Sequence, residues 1–449
     1  FGGLAYLLMR LSGGIGSANF VEFGAVLATV AYLLTLIDIR IGMAILIACI
    51  GFSPEISIAG FDSIRFEDFL IPALVIASVL RSLALREKSI PSAVRLPFTL
   101  YLVNAGFSAI CGIVFNDLRP SQSLAILGKN IEYLVIFMIF LNNIRTYSDF
   151  KTFVSYALMV GLLSGITAGF PIFGEVTHRR VHGPEGELAN IYGGYLIMHM
   201  AIFIGFFIHS ATNSRRFFCL LAAGLLAVPL LYTYSRTSYA ALILALLIFG
   251  VLKHRRLLLL LLMVLILFPL LAPEAILHRA ATITTVVTEG GPESWKARVD
   301  AWQCSVDLIL SSPVIGNGPG AVPFGDVDNE YVHILLDVGM LGLGLLMWFL
   351  TRIIVSMNRL YDSLPSPGFT RSYIAGYMIA LSAIIIHSFG ATSLSAIRSM
   401  ETFMTFTAFA MVAVAHHETF LVEEERDSEG HRRRARSPSL EPLGGFVYE

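Results

Sequence analysis

Apolar residues in this chain fall in long blocks separated by short polar breaks. The blocks occupy residues 20–37, 39–53, 66–84, 95–115, 129–143, 150–172, 188–209, 216–234, 237–252, 256–273, 330–354, 371–390 and 399–416. A helix needs about 20 residues to cross the hydrocarbon layer. In lipid the backbone must satisfy its own hydrogen bonds, so blocks of this kind are helices. The pattern predicts an all-α polytopic membrane protein with about 12–13 transmembrane helices and one long loop. The second block is short and reads as partly re-entrant, and residues 1–18 fit an interfacial helix. No internal repeat is visible.

Four regions follow. Residues 1–272 carry the N-terminal transmembrane helices. Residues 273–329 form the long loop, 330–416 the C-terminal transmembrane helices, and 417–449 a polar tail that reads as disordered. The chain opens at Phe1, so a start is expected upstream, and no charged segment followed by a cleavable signal is read.

Composition sharpens the class. Charged residues make up 14% of the 449, against roughly 25% in soluble proteins, and mean hydropathy is +0.74. A net charge of -1 gives no reason to expect nucleic-acid binding. The four cysteines (Cys49, Cys111, Cys219, Cys304) are scattered, so neither a zinc site nor a disulfide framework is expected.

Basic residues orient the bundle. Alternate loops bearing Arg40, Arg81 to Arg95, Arg145 and Lys151, Arg215 and Arg216, Lys253 to Arg256, Arg352 to Arg371 and the tail arginines are about twice as rich in Lys and Arg as the others. This set, with the C-terminus, is expected in the cytoplasm. The loop 273–329, the loop 173–187 and the turn at Ser235-Arg236 are then expected outside the cytoplasm.

Three segments bring arginine to that face. Tyr232-Thr-Tyr-Ser-Arg-Thr-Ser238 interrupts two spans with almost no loop, so Arg236 sits at the boundary. A snorkelling arginine is the plain reading, though charges within spans are functional candidates by default. His178-Arg-Arg-Val-His-Gly-Pro-Glu-Gly-Glu187 carries Arg180 into a helix that starts near Asn190, and reads plainly as a solvated loop. In the long loop, Trp295, Arg298, Val299 and Trp302 lie in an amphipathic stretch that reads plainly as a surface helix. Ser312-Pro-Val-Ile-Gly-Asn-Gly-Pro-Gly320 cannot be regular helix. It leads to Asp326, Asp328, Asn329, Glu330 and Tyr331, where Asp328 or Asn329 would cap the next span.

Together these place Arg180, Arg236 and Arg298 on one side, beside carboxylates. Guanidinium forks match phosphate oxygens. Such a cluster suits a lipid-linked diphosphate, whose departure it would stabilise by preorganised charge without a metal. No DxD-like or His-rich ligand set is read in these loops, so no metal or cofactor is expected.

The run Tyr234-Ser-Arg-Thr-Ser238, then Arg298 with Trp302, then Pro313-Val-Ile-Gly-Asn-Gly-Pro-Gly320, then Asp328-Asn-Glu-Tyr331 into Leu335-Leu-Asp-Val-Gly-Met-Leu-Gly342 resembles the O-antigen polymerase/ligase superfamily. The loop with Arg180, Gly183 and Asn190 fits the same family, as does Ile64-Arg-Phe-Glu-Asp68 more weakly. The resemblance implies a metal-independent GT-C-type glycosyltransferase of a bacterial inner membrane. Its donor would be a glycan on undecaprenyl diphosphate, and its acceptor another glycan or lipid A–core. A flippase and a chain-length regulator are implied as partners. Arg180, Arg236 and Arg298 would handle the diphosphate, with Asn190, Trp302, Asn329 and Tyr331 around the substrate. In the ligases a histidine precedes the Asn of the motif. Here Asp328 stands there and His333 lies five residues later, which favours a polymerase over a ligase. Asp328 is the expected general base, with Asp326, Glu330, Glu187 and His182 in reserve. A secondary transporter or flippase is the main reading from another class, although transporters tend to hold their charges near the midplane.

Overall fold

The computed structural model describes residues 17–53, 56–58, 61–170, 180–183, 188–271, 293–322 and 327–436. The N-terminal helices are α1 (Ser17–Ile37), α2 (Ile39–Phe52), α3 (Phe66–Leu85), α4 (Arg95–Phe115), α5 (Pro120–Asn143) and α6 (Tyr147–Gly169). Then come α7 (Ala189–His209), α8 (Asn213–Tyr232), α9 (Arg236–Leu252) and α10 (Arg256–Leu271). Helix α11 (Glu293–Ser311) lies within the long loop. It is followed by α12 (Glu330–Ser363), α13 (Phe369–His387), α14 (Ile397–Ala415) and α15 (His417–Arg436). A short antiparallel hairpin, β1 (Ile56–Ile58) with β2 (Phe61–Ile64), precedes α3.

Each of the thirteen apolar blocks forms a helix over most of its length. By length and apolarity, eight described helices suffice to cross a membrane, or nine if the bent pair α14–α15 is one span. Leu27–Ile37, Ile39–Phe52 and Arg236–Leu252 are apolar but shorter. The expected 12–13 thus counts apolar helices, of which eight or nine meet the length of a full span.

Side-chain caps set where several helices start. Asp38 accepts from Arg40 N at 2.9 Å, Thr146 from Asp149 N at 3.1 Å, and Ser235 from Ser238 N at 3.3 Å. Helices α7, α13 and α14 are buried along most of their length and form the core. There α7 and α13 approach so closely that a Cβ on Gly205 would lie 2.2 Å from the Gly376 nitrogen. Small residues at helix contacts permit this. Helices α3, α4 and α8 keep apolar side chains such as Leu83, Phe107 and Phe217 exposed, as a lipid-facing ring requires.

Residues 417–436 correct one expectation. They form helix α15 instead of a disordered tail. Phe420, 1% exposed, packs with its ring tilted against Phe150 and Tyr147, and the Glu424 carboxylate accepts from Phe369 N. One buried aromatic anchors a segment whose polarity alone reads as unstructured. Residues 437–449 and 1–16 lie outside the described residues.

Candidate functional site

One end of the bundle gathers the N-termini of α7, α9, α12 and α14 and the C-terminus of α13. The long loop delivers α11 to it. Arg298, on α11, gives its Nε–H to Asp328 Oδ2 at 2.9 Å, and both side chains are partly exposed, at 23% and 34%. Asp328 holds a left-handed backbone with φ 51°. One turn along α11, the Trp302 indole gives its N–H to Val327 O at 3.0 Å. The amphipathic helix is therefore a strut that fixes the backbone just before α12.

Asn329 caps α12, its Oδ1 accepting from Tyr331 N at 3.0 Å and Val332 N at 3.2 Å. Tyr331 gives its hydroxyl to Ile385 O at 2.7 Å. Glu330 is 1% exposed, and its carboxylate accepts from Leu394 N, Ser395 N and Ser395 Oγ at 2.9, 3.2 and 2.6 Å. It pins the turn between α13 and α14, which removes it from the reserve bases. His333 lies one turn into α12, 3.4 Å from Ser395 Oγ. Asp326 and Glu187 lie outside the described residues, and His182 is exposed.

The glycine run explains how α12 starts where it does. Helix α12 is broken at Gly339, φ 69° and ψ -172°, a conformation essentially confined to glycine. The break frees backbone groups on both sides, and the run takes them up. Asn317 N and Gly318 N give to Leu336 O and Asp337 O at 2.7 and 3.0 Å, while Met340 N and Leu341 N give to Pro313 O and Val314 O at 2.9 and 3.1 Å. Irregular backbone at this depth is tolerated where protein satisfies it.

Arg236 is the first residue of α9 and Arg180 is exposed on its loop. Val181 N gives to Tyr232 O at 2.9 Å, which brings the Arg180 loop to the Arg236 turn. Asn190 joins the same turn to the α13 end. Its Nδ2 gives to Gly390 O at 2.8 Å, and a carbonyl only accepts, so Oδ1 faces Ser235. Ser235 then gives to Asn190 Oδ1 at 2.6 Å, Ser238 gives to Ser235 Oγ at 2.8 Å, and His387 Nε2 gives to Ser238 Oγ at 2.8 Å. His387 Nδ1 is left to accept from Ser393 Oγ at 2.6 Å. The chain of donors thus sets the histidine tautomer. Glu330 N gives to Ser388 O at 2.9 Å, which ties the start of α12, beside Asp328, to the end of α13 that carries His387.

His387 and Ser393 were not among the residues singled out in the sequence, and Ser238 appeared there only as the last residue of the 234–238 motif, with no role. A buried charge group lies at the same end, of which Arg65 and Glu67 stood in the sequence as a weak family match, without their link to Arg398 and Glu401. Arg65, Glu67, Arg398 and Glu401 are each 1% exposed or less. Arg65 lies 3.1 Å from Glu67 and 3.3 Å from Glu401. Arg65 also gives to Ser53 O at 3.1 Å and Arg398 to Gly51 O at 2.6 Å, closing the C-terminal carbonyls of α2. Among the described residues no His, Cys, Asp and Glu group has the geometry to hold a metal.

Comparison with known proteins matches residues 220–347 to the family described as O-Antigen ligase. That stretch runs from α8 through the first half of α12 and contains Arg236, Arg298, Asp328 and the glycine run. No curated protein matches the chain. With a stretch that matches the O-antigen ligase family carried within a bundle of long apolar helices, the chain is a multi-pass membrane protein with an O-antigen ligase-like region at residues 220–347.

Proposed function

We propose that this protein is an inverting, metal-independent glycosyltransferase that polymerises glycan repeats from undecaprenyl diphosphate on the periplasmic face of a bacterial inner membrane. The Arg298–Asp328 pair carries the reading. It puts a phosphate-matching guanidinium and a proton acceptor in contact, partly exposed, at the end of the bundle that also carries Arg180 and Arg236.

The pair also suggests an order of events. A diphosphate competes with Asp328 for the Arg298 guanidinium, since both are anions suited to its donors. Donor binding then releases the Asp328 carboxylate toward the acceptor hydroxyl. That oxygen attacks the anomeric carbon, a new C–O bond forms, and the bond to the lipid diphosphate breaks on the opposite face. Asp328 takes the hydroxyl proton as the leaving group departs. Arg180, Arg236 and Arg298 neutralise the departing charge. The positive ends of α7 and α9, which begin beside Asn190 and Arg236, add to the same field.

The test is reconstitution in liposomes with a lipid-linked oligosaccharide repeat and a chelator. A ladder of multimers, abolished by Arg298→Ala, is the expected result. Single transfer onto added lipid A–core without a ladder makes the protein a ligase despite Asp328. Failure to transfer from any donor favours a transporter, which a flux assay then examines.

A further inference from the structure

A polar cavity lies at the other end of the bundle. Helix α3 begins at the buried arginine group and ends at Leu85, and α5 returns to the same far end at Asn143. Between these two C-termini is a cavity of about 220 Å³, far above the roughly 10–15 Å³ that admits a single water.

Its wall is rich in donors that the protein leaves unused. Asn142 Oδ1 accepts from Ile90 N at 2.9 Å and Ser89 Oγ at 3.1 Å. That fixes the amide and leaves Nδ2 with no acceptor among the described residues. Asn143 Nδ2 gives to Ser78 Oγ at 2.9 Å, so the Ser78 proton remains to be donated. Arg145 uses Nε on Asn142 O at 3.0 Å and Nη2 on Lys88 O at 3.2 Å, leaving Nη1. The Lys88 ammonium makes no bond or ion pair among the described residues.

The one carboxylate, Glu87, is already held by Arg145 at 3.1 Å and Arg81 at 3.9 Å. Arg95 gives to Ser89 Oγ at 3.3 Å. Lys88 and Arg145 therefore line the cavity against one acid, with Arg81 paired to Glu87 and Arg95 bonded to the lining Ser89. Two helix C-termini would repel an anion, but the carbonyls that end them here are engaged. Arg145 holds Asn142 O, and Glu87 N gives to Ser82 O at 3.0 Å. The rim is apolar and open to the side, with Val79 51% and Leu83 72% exposed on the lipid-facing stripe of α3.

We propose that this cavity binds the phosphate-bearing headgroup of an anionic phospholipid, with the acyl chains lying along Val79 and Leu83. Basic pockets between transmembrane helices recognise such headgroups. The site is separate from the proposed transferase centre and stands or falls without it.

Native mass spectrometry of the full chain in detergent, titrated with phosphatidylglycerol or phosphatidylcholine, tests it. The expected result is preferential binding of phosphatidylglycerol, weakened about tenfold by Lys88→Glu and in the same direction, less strongly, by Lys88→Gln. Lys151→Glu, the same charge change on the same end of the bundle but outside the cavity, should leave it within about twofold. Displacement of phosphatidylglycerol from the wild type by millimolar inorganic phosphate keeps the phosphate site and assigns it to a soluble source. Equal binding of the two lipids, or an equal loss in the Lys151→Glu and Lys88→Glu variants, overturns the proposal.

Discussion

Arg298 and Asp328 hold each other in the absence of substrate, so the two have opposite signatures when replaced. Arg298→Ala should raise KM for the lipid-linked donor and lower kcat by about a hundredfold or more, the scale of losing one preorganised donor. Asp328→Asn should lower kcat yet lower KM as well, because the guanidinium no longer has a competing carboxylate. Steady-state kinetics with the lipid-linked repeat separate the two. A rise in donor KM in Asp328→Asn would end the idea of competition. His387 is linked to Asn190 by hydrogen bonds through Ser238 and Ser235. His387→Leu should lower kcat/KM about tenfold, the worth of a hydrogen bond of ordinary strength. His387→Gln, whose amide reaches Ser238, should recover most of the loss; a purely space-filling role predicts no such difference. Arg298 and Asp328 were visible in the sequence because both fall in the polar loop between apolar spans, on the face that also carries Arg180 and Arg236, and within the motif run. His387 was not, because it ends an apolar run and its partner Ser238 is 149 residues away.

At the scale of elements, the break in α12 and the glycine run make one unit. Gly339→Ala must hold a conformation costing about 1–3 kcal/mol for other residues, with its new Cβ 2.4 Å from Val314 O. The expected outcome is a lower unfolding temperature in detergent together with loss of activity. An unchanged melting curve would mean that the run does not depend on the break. The sequence announced half of this. Pro313 to Gly320 could not be helix, but residues 330–354 read as one straight span, since Val338-Gly339-Met340 offers no polar signal. The same blindness worked in reverse in α15, where charge suggested disorder and Phe420 supplied the packing.

For the whole molecule, the positions of the apolar helices follow from hydropathy, and their mutual arrangement does not. Arg65, Glu67 and Glu401 show why, since the Arg65–Glu401 contact joins residues 336 apart. Removing one partner of such a buried pair leaves an uncompensated charge at about 3–5 kcal/mol. Arg65→Ala and Glu401→Gln should each show this in equilibrium unfolding. The double change to Met should cost less than the sum of the single changes, as expected for groups in contact.

The long-range pairing also bears on how the chain is made. Arg65 and Glu67 emerge from the ribosome and enter the bilayer hundreds of residues before Glu401 is translated. During that interval the early helices must keep polar side chains near water, the translocase or an insertase. Helix α14 then carries Arg398 and Glu401 into the membrane only by finding partners already there. Biogenesis is thereby coupled to completeness: a chain cut short before α14 lacks the residues that complete the buried charge group of its first helices, and should be recognised as unfinished and degraded.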